Sequence, residues 1–175
     1  MSTSERPYHH GDLRAALLDA ADRLLDAGGD GAVSLREVAR QAGVSPTAAY
    51  RHFADKEALL AALATRHYGD FGRALAEAGS LNGMGAAYLR FALARPGRFR
   101  LIFGPLLARA AMHPELQAAS AAAFATLRAA AASPEAALRA WGMVHGLAHL
   151  LLDGAIPVPD REAFIQRVLH REPEG

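Results

Sequence analysis

His145, His149 and Asp153 recur at i, i+4 and i+8, so a helix would align two imidazoles and a carboxylate on one face. Two histidines one turn apart can hold a metal ion. No third ligand from another segment joins them, and the set reads as hydrogen-bonded structural or interface histidines, with no metal and no cofactor assigned. An enzyme on a helical bundle, using these three around a metal, is the competing reading; it requires metal in the purified protein. Cysteine is absent, which excludes a disulfide framework, a thiolate nucleophile and a cysteine zinc site. No catalytic residue is assigned.

A second set of side chains carries a different chemistry. Residues 34–53 read SLREVARQAGVSPTAAYRHF. Ser34 is an N-cap and Glu37 completes a capping box. Leu35, Val38 and Ala39 give one apolar face. Gly43 suits the left-handed stop, Val44 plugs the turn, Ser45 caps again and Pro46 fits N1. Two short helices around a glycine turn make a helix-turn-helix, whose second helix can enter the DNA major groove. Thr47, Ala48 and Arg51 are small, polar or basic, as base-edge contacts require. Tyr50 and His52 can donate to phosphates, Ser45 and Lys56 flank them, and Arg36 is a further candidate. No carboxylate lies between Val44 and Ala54. An ordinary helical hairpin in a bundle, with His52 a surface residue, is the alternative.

The same run resembles the DNA-binding domain of TetR-family transcriptional regulators. The likeness covers roughly the first 65 residues without a gap, through YHHGDLRAALLDAADRLL at 8–25 and SLREVARQAGVSPTAAYRHFADKEALL at 34–60. One departure is Ala49, where many members place leucine before the tyrosine; it loosens packing behind the recognition helix and leaves the outer face unchanged. Trp141-x-x-x-His145-Gly146 and RPGRFRLIF at 95–103 resemble the Trp-His-Gly subclass of TetR C-terminal domains. The resemblance implies a palindromic operator in double-stranded DNA, a homodimer joined mainly through the last two helices, and a body that binds a small-molecule effector. Lys56 resembles a phosphate contact.

The elements that must position these groups are helical throughout. No strand-like alternation and no repeat is present, and the fold class is all-α. About nine helices are expected, in a three-helix head at 1–54, with an arm at 1–10, and a regulatory and dimerisation body at 55–175. Arg6 in the arm could reach a minor groove, or the arm with its paired His9 and His10 is a plain tail. Asp12 caps a first helix to about Ala27 that buries Leu13, Leu17, Ala20, Ala21, Leu24 and Leu25. Asp55 caps a fourth helix to about Ala78, roughly 36 Å long at 1.5 Å per residue, with Leu60, Leu63, His67, Phe71 and Leu75 on one stripe. Residues 79–85 read as a break before a fifth helix that starts near Met84 and stops at Pro96. A short, broken helix follows around 99–107, then a seventh from Glu115 to about Ala132. An eighth, capped by Ser133 and opened by Pro134, runs to Asp153. Asp160 caps a last one to about His170, and the tail at 171–175 frays.

Charge gives weaker support. Net charge is +1, and the first 56 residues carry seven Lys and Arg against eight Asp and Glu, whereas a basic balance is the usual electrostatic footprint on DNA. Distribution offsets this, because Asp19, Asp22, Asp26 and Asp30 belong to the first helix and its exit. The acidic balance leaves open a dimeric ligand-binding adaptor whose head does not read DNA. With no apolar run near 18 residues and no cleavable leader pattern, a soluble cytoplasmic protein is expected, with no membrane partner.

In the body, Tyr88, Phe91, Phe99, Phe103, Leu107, Phe124, Trp141 and His145 are the candidate lining of a pocket for a small, mostly apolar effector; plain core is the alternative for aromatics at this spacing. The last two helices carry more apolar surface than one layer needs. Leu147, Leu150, Leu151, Phe164, Ile165 and Val168 are the candidates for a dimer face in a four-helix bundle, or for internal core.

Overall fold

The computed structural model describes residues 13–169. The arm at 1–10 with Arg6, His9 and His10, the Asp12 cap and the tail at 171–175 lie outside the described residues. Those described contain nine α-helices and no strand. They form two compact units that part inside a helix, at Leu63 and Ala64; the boundary expected from sequence falls at the start of that helix, between Ala54 and Asp55.

In the first unit, α1 (Leu13–Gly28), α2 (Leu35–Gln41) and α3 (Pro46–His52) pack around Leu17, Leu25, Val33 and Val38, with the first turns of α4 (Lys56–Glu77). Ser34 Oγ accepts the Glu37 amide at 3.2 Å, the N-cap half of the expected box; the Glu37 carboxylate pairs with Arg40 instead of returning to Ser34. At the other end of α2, the Val44 amide bonds to the Ala39 carbonyl at 3.0 Å and the Gly43 amide to the Arg40 carbonyl at 3.2 Å. These are the two bonds of a Schellman motif, and they need Gly43 at φ 70°. The turn angle between α2 and α3 is set by that glycine.

The second unit is organised around α5 (Leu81–Ala94), which packs on α6 (Pro96–Ile102), α7 (Pro114–Ala130), α8 (Pro134–Leu152) and α9 (Arg161–Leu169). Two 3₁₀ segments complete the path, Asp30–Ala32 in the head and Leu107–Met112 before α7. Phe99 and Ile102 on α6, Leu89 on α5 and Leu116 on α7 are fully buried. Arg90 on α5 pairs with Glu162 on α9, and that guanidinium, with Gln166, holds the Glu162 carboxyl at about 2.

One expected boundary is corrected. Residues 79–85 do not break the chain beyond Gly79; α5 begins at Leu81, because Ser80 Oγ caps it by accepting the Gly83 amide at 3.1 Å. Its glycines serve packing instead. A Cβ on Gly85 would meet Leu169 Cδ2 at 3.1 Å and Val144 Cγ1 at 3.3 Å, so α8 and α9 approach α5 only because that position is bare. The periodicity of apolar residues is silent at such glycines, and the helix start was hidden there.

Candidate nucleic-acid interface and internal cavity

The head displays α3 with one side in and the other out. Ala49 is completely buried, while Thr47, Tyr50, Arg51 and His52 are exposed and Ala48 is half-buried. At about 100° per residue, Thr47 and Arg51 stand opposite Ala49, with Ala48 and Tyr50 on the two flanks. The small Ala49 side chain lets α3 sit close to the head's core. Ser45 caps α3 by accepting the Ala48 amide at 3.3 Å; its hydroxyl hydrogen remains available to an acceptor. Arg36 is exposed on α2, and Arg40 beside it is already paired with Glu37, whose carboxyl it holds below the usual range.

Lys56 is exposed at the start of α4 and donates to the Asp30 carbonyl at 2.5 Å. An ammonium has three donors, so this bond positions the side chain and leaves N–H groups for a second acceptor. Asp55 Oδ1 caps the same helix through the Ala58 amide at 2.8 Å. The surface from Ser45 to Lys56 therefore combines an exposed two-turn helix, the Arg51 guanidinium with the His52 imidazole beside it, and a helix N-terminus suited to an anion.

The second unit contains a cavity of about 380 Å³, inside the range of roughly 300–1,000 Å³ typical of small-molecule sites. Five of the eight expected residues line it: Tyr88, Phe103, Leu107, Phe124 and Trp141. The other three do not. Phe99 is fully buried behind the wall, Phe91 stacks on Phe71 at 5.1 Å between ring centres, and His145 sits against Tyr88. Phe99 points into core, while Phe91 and His145 are half-buried outside the cavity lining. Tyr68, Phe71, Met84, Asn82 and Gln117 also line it. Phe71 and Leu75 were visible on the stripe of α4; Asn82 fell in the stretch read as a break, and nothing in the sequence singles out Gln117.

The wall holds polar groups. The Tyr88 hydroxyl lies 2.7 Å from His145 Nδ1. The Tyr88 hydroxyl donates when Nδ1 is bare and accepts when Nδ1 carries the ring hydrogen. Burial, and then the neighbouring His149, lower the His145 pKa and favour the neutral imidazole. Burial also raises the Tyr88 pKa and keeps the phenol protonated. Tyr68 is spent similarly, donating to the Ile102 carbonyl at 2.6 Å.

The His145, His149 and Asp153 face does not converge. The two imidazole centres are 4.7 Å apart, whereas Asp153 accepts from Arg100 at 3.3 Å. Among the described residues no three His, Cys, Asp or Glu side chains gather as a metal site. No helix among them is long and apolar enough to cross a membrane.

The expected dimer face divides. Leu151 and Ile165 are buried in the unit's own core and are withdrawn from the face; Leu147 and Phe164 are half-buried; Leu150 and Val168 are exposed. Leu138 and Met143, exposed beside Leu150 on α8, were missed. Period and hydrophobicity are the same for both sides of such a helix, and only packing tells them apart.

An all-helical protein with a helix-turn-helix head and a helical body containing a cavity is the architecture of a one-component regulator. Residues 17–63 match the family of bacterial regulatory proteins named for tetR, and residues 81–171 match the tetracyclin repressor-like C-terminal domain. The chain belongs to the TetR family, a family of regulators rather than enzymes. It is 51% identical over 49 residues to the HTH-type transcriptional regulator BetI of Rhizobium meliloti, a match over 28% of this chain and 24% of BetI. The chain thus spans about a quarter of the length of the curated relative. A protein of unknown function from Rhodococcus sp. RHA1 superposes with a TM-score of 0.77 at 28% identity, over 94% of this chain and 95% of that one. The multidrug binding protein EbrR complexed with ethidium superposes with a TM-score of 0.65 at 25% identity, over 90% and 96%.

Proposed function

We propose that this protein is a cytoplasmic transcriptional repressor that binds a palindromic operator as a homodimer and is released by a small, mostly apolar effector. The observation that carries the reading is the presentation of α3: Ala49 buried, Thr47 and Arg51 outward, on a turn fixed by Gly43. Thr47, Ala48 and Arg51 read base edges in the major groove. Ser45, Tyr50, His52 and Lys56 hold phosphates, with Arg36 a further contact.

One two-turn helix reads few base pairs, and two of them about 34–36 Å apart read a palindrome. The dimer face is the exposed strip of α8 with α9. Leu138, Gly142, Gly146 and Leu150 are exposed along α8 and Val168 on α9, while exposed Met143 also lines the cavity; Arg139 is the charge within the α8 span. The glycines matter because a Cβ at either Gly142 or Gly146 would meet nothing within 4 Å of its own chain. Bare backbone there lets a partner helix approach closely.

The effector occupies the cavity. The head at 1–54 and the body at 55–175 communicate through α4, which is continuous from Lys56 to Glu77. An effector shifts the operator-binding equilibrium only by its differential affinity for the two conformations. The test is titration of a palindrome from the gene's own upstream region with the parent protein, Tyr50→Ala and Lys56→Ala. Equal affinity of all three removes the assigned contacts, and binding that ignores salt removes the DNA reading, since phosphate contacts release counterions.

A further inference from the structure

The polar atoms around the cavity specify more than a general preference for apolar ligands. No residue lining it carries a charge. On its inner wall the Tyr88 hydroxyl is bound to His145 behind it, and the Tyr68 hydroxyl to the Ile102 carbonyl. A ligand that displaces either partner leaves a buried group orphaned, which then bears its full desolvation cost. At the rim, Ser120 donates to the Gln117 carbonyl at 3.0 Å. The exposed side-chain amides of Asn82 on α5 and Gln117 on α7 remain. Each offers both donors and an acceptor, and neither compensates a net charge.

We infer that the cavity selects an uncharged ligand: an apolar, aromatic-compatible body held by ring faces of Phe71, Phe103, Phe124 and Trp141, with one neutral hydrogen-bonding head group at Asn82 and Gln117. A carboxylate or ammonium of the same shape binds more weakly, because neither amide nor any other lining residue offers the counter-charge that would offset its lost hydration. This inference rests on the reading of the cavity as the effector site.

Trp141 is the chain's single tryptophan and lines the cavity, so its fluorescence reports occupancy directly. Titration of the full chain near pH 7.5 uses three probes of one shape: biphenyl-4-carboxamide, biphenyl-4-carboxylate and protonated 4-(aminomethyl)biphenyl. The amide is expected to bind at least about tenfold more tightly than either ion, since an unpaired buried charge costs more than a neutral amide. Gln117→Arg, at an exposed position, is expected to raise carboxylate affinity about tenfold by supplying the absent counter-charge. Equal or tighter binding of either ion by the parent overturns the inference, as does the absence of any response to all three. Amide binding without any change in operator affinity leaves the ligand class standing and removes the effector reading instead.

Discussion

The Tyr88 hydroxyl and His145 Nδ1 are 2.7 Å apart, and this bond ties α5 to α8 across the wall of the cavity. His145 is held towards its neutral form by burial, so acid places a charge at this contact in the cavity wall.

The sign of that dependence is fixed. The folded pKa of His145 is lowered from the ordinary 6.5, first by burial and then by His149. A depressed histidine contributes stability that is fully present above the unfolded value and is lost as pH falls through the folded one. Thermal melts between pH 7.5 and 5 should show the parent losing more stability on acidification than His145→Gln, whose amide accepts from Tyr88 at every pH. Parallel curves would refute the assignment.

Arg51→Ala should weaken operator binding by about 1–3 kcal/mol and relax preference at the base it contacts, whereas Lys56→Ala should weaken all sequences alike and lower the salt slope by about one. Both side chains are exposed, so circular dichroism of both variants should match the parent. Competition with mismatched operators separates the two behaviours.

Leu150→Glu and Gly146→Phe should both yield monomers by sedimentation, the first by placing a charge on the apolar strip, the second by wedging the helices apart. Neither should unfold the protein, because Leu150 is 44% exposed and a Cβ at Gly146 meets nothing. Leu151→Ala is the contrast: its side chain is buried, and truncation should cost about 2–5 kcal/mol without altering the association constant of the folded fraction. Two dimeric variants would exclude this strip as the interface.

Phe99→Ala should destabilise by about 3–5 kcal/mol, as expected for a fully buried aromatic. Phe103→Ala, on the cavity wall and half-buried, should cost less and change ligand affinity more. Denaturant melts paired with Trp141 titrations distinguish the two; similar stability loss with unchanged binding in both would contradict the placement of the wall.

Much of this molecule was legible as residue order. Ser34, Gly43, Ser45 and Pro46 state the helix-turn-helix in local terms, because caps and left-handed turns depend on a few consecutive residues. Burial of Ala49 follows from the same short span. Tertiary structure decided the rest. Trp141, His145 and Gly146 form one motif in the chain, yet the first lines the cavity, the second backs its wall, and the third is bare at the surface. Leu150 and Leu151 are neighbours of identical chemistry, one outside and one in the core. A helix turns about 100° per residue, and which of its faces meets core, cavity or solvent depends on elements distant in sequence. Apolar pattern records that a residue avoids water; only packing shows what it meets instead.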